Sequence, residues 1–138
     1  MLPQARLMLC VGILCVPATA AGQDVTAPVD TGRMRAYESA MQSDLRNLDV
    51  ALRAYRQSNG RYAPSMQFLL GFRTAAAVTL IIVASGDDYY SVVAIHSGAP
   101  GAICAIWVSA NGTSLSPPLA DGSLSGRPSC RRPWPLGG

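Results

Sequence analysis

Between Met34 and Tyr55 the apolar residues recur at alternating spacings of three and four: Met34, Tyr37, Met41, Leu45, Leu48, Leu52 and Tyr55. That period draws one stripe down a helix of 3.6 residues per turn, and the stripe must be buried against another element. Arg46, Asn47, Asp49, Arg53 and Arg56 face away from it, with Asp49 and Arg53 spaced to pair across one turn. Thr31 is a ready cap, so the helix is predicted from Thr31 to about Ser58. Asn59-Gly60 supplies residues that tolerate the left-handed conformation ending a helix, and Pro64 blocks any continuation.

Beyond the helix the chain reads as sheet. Ser65 to Leu70 suggests a short second helix or turn, closed by Gly71-Phe72. Three runs then carry strand character: Ala77 to Val83, Asp88 to His96 and Ile103 to Val108. The separators, Ser85-Gly86-Asp87 and Ser97 to Gly101, are short and rich in turn residues. Hairpins fit such separators, whereas parallel pairing needs crossovers of a dozen or more residues. The predicted class is α+β: one long N-terminal amphipathic helix on a three- to four-stranded antiparallel sheet. A fourth strand is expected around Thr113 to Ser116, after a turn at Asn111-Gly112.

The two ends look different. Residues 1–20 have the order of an export signal: Arg6, an apolar run from Leu7 to Val16, then Ala18-Thr19-Ala20 as a small-residue cleavage site. That run is short for a membrane span. Cys10 and Cys15 would leave with it, and neither follows the small residue that a lipoprotein signal requires. Cys104 and Cys130 remain as an even pair in an exported chain, which predicts one disulfide bounding a C-terminal loop. Residues 21–30 read as a mobile leader, 31–130 as one domain and 131–138 as a frayed tail. Loss of Arg6 takes the formal charge from +3 to +2, too small to imply a polyanionic partner. Export places the mature protein in the periplasm or outside the cell.

The helix with Asp44-Leu45-Arg46, then Tyr55, then Asn59-Gly60-Arg61-Tyr62, resembles the head portion of type IV pilins and pseudopilins. The resemblance runs from about Tyr37 to Cys130 and includes the Gly71-Phe72 junction, the three-strand meander and the cysteine pair. The stretches Ala94 to Gly98 and Cys104 to Val108 are also similar to pilin-like sequences. The N-terminus departs from the family: pilins carry a long apolar helix with an early glutamate, and here Pro17 stands where the glutamate would. The resemblance implies a non-enzymatic envelope protein, an interaction or assembly component of a type IV pilus or type II secretion-like system. Its partners would be other pilin-like or envelope proteins. The alternative is a secreted module that reuses the fold to bind a ligand or polymer.

No constellation of catalytic or metal-binding residues stands out, and no cofactor is implied. His96 is the only histidine, so a catalytic triad or a Cys/His zinc cluster lacks its parts. Asp87-Asp88 lacks the further oxygen ligands of a calcium loop, and no G-x-S-x-G elbow occurs. Gly98 to Gly101 contains proline and no lysine, unlike a phosphate cradle. Asn111-Gly112-Thr113 fits a glycosylation acceptor as well as it fits a turn. Arg46, Arg53, Arg56 and Arg61 suggest a basic stripe, but the interleaved Asp44 and Asp49 point to an ordinary solvated face and away from nucleic acid. The candidate interaction surface comprises Tyr89, Tyr90 and Trp107 on strands, and Arg131, Arg132 and Trp134 in the tail.

Overall fold

The computed structural model describes residues 31–110 and 125–132. The export-signal segment, the leader, the strand expected near Thr113 and Trp134 all lie outside the described residues.

Helix α1 spans Thr31–Asn59. The centre of its apolar stripe is wholly buried: Met41, Leu45, Leu48 and Leu52 have no accessible surface. Met34, Tyr37 and Tyr55, at the stripe's two ends, are only half-buried. Length accounts for the difference. A 29-residue helix is about 43 Å long, whereas an eight-residue strand covers about 27 Å, so both helix ends overhang the sheet. The helix stops as its sequence requires. Gly60 takes a positive φ of 74°, and its N–H reaches the Arg56 carbonyl at 2.8 Å. Two residues later Tyr62 turns inward, its ring buried and its N–H bonded to the Gly86 carbonyl. The next apolar stretch forms one 3-10 turn, Met66–Phe68, ended by Gly71 at a φ of 81°.

The sheet has four strands in the order β1-β2-β3-β4, all neighbours antiparallel: β1 Val78–Ser85, β2 Tyr89–His96, β3 Ile103–Ser109 and β4 Ser129–Arg131. The first three are the predicted meander, with ends shifted by one or two residues. A bulge lies between Ile82 and Ala84, after which Ala84 faces Ser91. Alternate residues Val78 and Leu80, Tyr90, Val92 and Ala94, and Cys104 and Ile106 form the face that meets the helix stripe. The valine, leucine and isoleucine side chains among them contribute about 1.5–3 kcal/mol each when fully buried, so this layer holds the domain together.

β4 was not visible as a strand in the sequence. It sits around Cys130, and it takes in Arg131, which pairs with Ile103, from the stretch expected to fray. Cys104 and Cys130 are directly opposite one another in the ladder and are joined by a disulfide. The loop between the cysteines therefore leaves the end of β3 and returns beside it. Among the described residues no helix is long and apolar enough to cross a membrane.

Candidate functional site

The polar side of α1 is more occupied than its sequence suggests. Asp44 is buried, which corrects its reading as part of a solvated face: its Oδ2 accepts the Ala75 backbone N–H at 2.7 Å and ties the loop before β1 to the helix. Asp49 does pair with Arg53, Nε to Oδ1 at 2.7 Å. The same oxygen accepts the Tyr90 hydroxyl, so Asp49 joins the helix to β2. Burial, and then the bond to Asp49, drive the Tyr90 phenol far above its ordinary value of 10. The Asp49 bond in turn raises Arg53.

Tyr90 packs edge-on against Tyr62 at 4.8 Å, and the Arg56 guanidinium lies over the Tyr62 ring at 5.1 Å. The tyrosine of the N-G-x-Y exit thus anchors the helix end to the sheet. Of the four arginines read as a basic stripe, Arg53 and Arg56 are committed to these internal contacts, and Arg46 donates to Gln42 one turn away at 3.4 Å. Arg61 is exposed.

At the other end of the domain Tyr37 stacks on His96, with ring centroids 4.1 Å apart. His96 Nδ1 accepts the Gly98 N–H at 2.9 Å. A Cβ at Gly98 would meet the Tyr37 ring at 2.9 Å, so a side chain there would push that ring off His96. His96 therefore closes a strand end, in keeping with its structural reading. Among the described residues no group of three or more His, Cys, Asp or Glu could hold a metal ion.

The residues expected to form an interaction surface scatter. Tyr90 has no accessible surface and Trp107 only 7%, so neither lines an outer face. Tyr90 points to the helix, while Trp107 alternates with Cys104 and Ile106 and so lies on the sheet's opposite side. Tyr89 is half-buried at the start of β2. Arg131 is exposed on β4. Arg132 is held by Glu38 through two hydrogen bonds, Nε to Oε1 at 2.6 Å and Nη2 to Oε2 at 3.0 Å. That bond holds the Glu38 carboxyl below its ordinary range. With the disulfide, whose Cys130 Sγ also accepts from Gln42 Nε2, it fastens the C-terminal strand to both sheet and helix.

What the surface offers instead is apolar and lies around the segment joining α1 to β1. An open groove of about 510 Å³ runs between the C-terminal half of α1 and that segment, lined by Ala51, Ala54, Tyr55, Phe68, Leu70 and Phe72. Phe68 is 45% exposed and Leu70 is 94% exposed. A second trough of about 540 Å³ follows the outer edge of β1, between Val78–Leu80 and the Phe72–Thr74 stretch. Ile81 and Val83 of β1 are also exposed, on the face turned away from the helix. Sequence reasoning missed both depressions because their residues are ordinary singly. The signal that could have found the first is the pair Phe68 and Leu70, apolar residues in a segment too short to bury both; no local signal marks the second.

No family model matches this chain, and no curated protein matches it.

Proposed function

We propose that this chain is an exported, non-enzymatic, pilin-like protein that acts as an interaction or assembly component of a type IV pilus or type II secretion-like system. The observation that best supports this reading is the order and fastening of its parts. A long N-terminal helix lies across an antiparallel meander, its N-G-x-Y exit is locked by Tyr62 on Tyr90, and a C-terminal strand is bonded back through Cys104–Cys130. The polar residues that could have served chemistry are used to hold that frame: Asp44 on the Ala75 N–H, Asp49 on Tyr90 and Arg53, and Glu38 on Arg132.

Contact with partners falls to the apolar groove beside the end of α1, where Leu70 stands almost free of the domain. A contiguous exposed apolar patch marks an interaction site more often than a solvated surface. The alternative, a ligand-binding module, drew on Tyr89, Tyr90 and Trp107 as a lining; Tyr90 and Trp107 are buried and Tyr89 is half-buried.

A photo-reactive amino acid at position 70, used in the native host, tests the proposal. Adducts with envelope proteins that carry the prepilin N-terminal helix are the expected result. Adducts confined to proteins outside the pilus and secretion machinery, or none, contradict it.

A further inference from the structure

β1 is the outer strand of the sheet, and no described strand pairs with its free side. Eight residues long, it reads Val-Thr-Leu-Ile-Ile-Val-Ala-Ser, with no charge and no proline. Natural proteins guard such edges with lysine, proline or a covering segment, because an unpaired row of N–H and C=O groups is a template for another strand. Among the described residues the guards are partial: the bulge between Ile82 and Ala84 turns the end of the strand, the Val78 N–H is bonded to the Ala75 carbonyl, and Met66 and the Phe72–Thr74 stretch run beside Val78–Leu80 but leave the open trough between them. Ile81 is 48% exposed and Val83 60% exposed on the face away from the helix, where Ile95 of β2 is also exposed. The runs of β1 and β2 are apolar on both faces, as in strands that have cover on both sides.

The two ends of this edge carry opposite charge. Arg73 lies exposed beside the start of β1, and Asp87 lies exposed in the turn after its end. An antiparallel arrangement of two identical edges sets the Arg73 end of each against the Asp87 end of the other, twice. The middle meets as Ile81 against Ile81, neutral and apolar. Between Leu80 and Ile82 the edge is therefore complementary to itself in hydrogen bonding, and along its length in apolar character and in charge, which is what a twofold contact requires.

We propose that β1 pairs antiparallel with β1 of a second copy of this chain across a twofold axis, joining four strands from each copy into one continuous sheet. The tip of each β1–β2 hairpin, carrying Asp87, enters the trough beside the other copy's Val78–Leu80 and meets its Arg73. A specific contact needs to bury about 1,000 Å² in total, and the paired edges alone supply only roughly half of that. The two filled troughs supply the rest. A contact near this lower limit is that of a weak, reversible dimer.

Sedimentation equilibrium of the purified protein over a wide concentration range tests this. The wild type is expected to pass from monomer to dimer. Ile81→Lys places a guarding charge on the edge and weakens association at least about tenfold. Asp87→Arg sets like charges against Arg73 and weakens it by roughly tenfold, and Arg73→Asp together with Asp87→Arg restores it. Near-ultraviolet circular dichroism checks that each variant keeps the fold, and the charge-exchange pair decides the matter if Ile81→Lys does not. A monomer at every concentration overturns the proposal and leaves the edge to a strand of another protein. A dimer indifferent to Ile81→Lys and to the charge exchange overturns it as well, because that dimer uses another surface.

Discussion

Removing one oxygen tests how the helix is held to the sheet. Tyr90→Phe keeps the ring that packs on Tyr62 and deletes only the hydroxyl that bonds Asp49. A hydrogen bond to a charged group contributes about 1.5–3 kcal/mol net. Two features place this one at the lower end. Asp49 keeps Arg53 at 2.7 Å after the change, and its side chain is 20% exposed, so the carboxylate is not stranded. The expected loss is about 1.5 kcal/mol, or a fall in Tm of roughly 6–12 °C for a domain of this size. Urea and thermal melts of the wild type, Tyr90→Phe, Asp49→Asn and the double variant measure it, with a coupling energy of about 1 kcal/mol expected between the two sites. The pH dependence gives an independent reading. A phenol whose folded value is raised above 10 stabilises the domain fully below pH 10, and that contribution is lost as the pH rises beyond it. Tyr90→Phe should lose less stability than the wild type over that alkaline range. A loss below about 0.5 kcal/mol, or strict additivity with Asp49→Asn, would refute the assigned bond.

Three further outcomes are expected. Reducing the Cys104–Cys130 bond, which spans a sequence separation of 26, removes a loop constraint worth about 3.5 kcal/mol, measured as the shift in urea midpoint with and without a phosphine reductant; an unchanged midpoint contradicts it. Ala77→Gly should raise stability by up to about 1 kcal/mol, since Ala77 holds a positive φ of 67° that costs an L-residue and not glycine; a destabilised variant would show that the alanine is unstrained. Glu38 is held below its ordinary 4.5 by Arg132, so its contribution is present above that value and is lost as the pH falls through the lowered one. Glu38→Gln should therefore flatten the acid limb of a Tm-against-pH profile, and an acid limb identical to the wild type would contradict the ion pair.

The sequence made the frame legible because two periodicities spoke clearly. The three-four spacing from Met34 to Tyr55 assigned the buried side of α1, and short Gly, Ser and Asp separators made the strands a meander. Its silences have physical causes. β4 is three residues long and half polar, and it exists because Cys130 faces Cys104 and lends the ladder a covalent link. Asp44 and Asp49 look like solvent residues by type; only the path of the loop through Ala75 and the reach of Tyr90 bring them partners. Tyr90 and Trp107 differ from surface aromatics only through what the sheet places over them. The trough along β1 arises where separate elements meet, and no local pattern announces it, whereas the groove beside Leu70 shows in the sequence only as the pair Phe68 and Leu70.

The proposed function depends on one placement: the segment around Cys130 lies as a fourth strand against β3, with α1 across the sheet face that carries Cys104 and Ile106. Nuclear Overhauser contacts in the oxidised protein test it most directly. The expected pattern links the α-protons of Cys104 and Cys130 across one ladder and those of Val93 and Ala105 across the next, and joins the Leu45 and Leu48 methyl groups to the face bearing Cys104 and Ile106. A Cys130 segment with contacts to no strand, or a helix whose leucine methyl groups touch the face bearing Ile81 and Trp107 instead, would contradict the account.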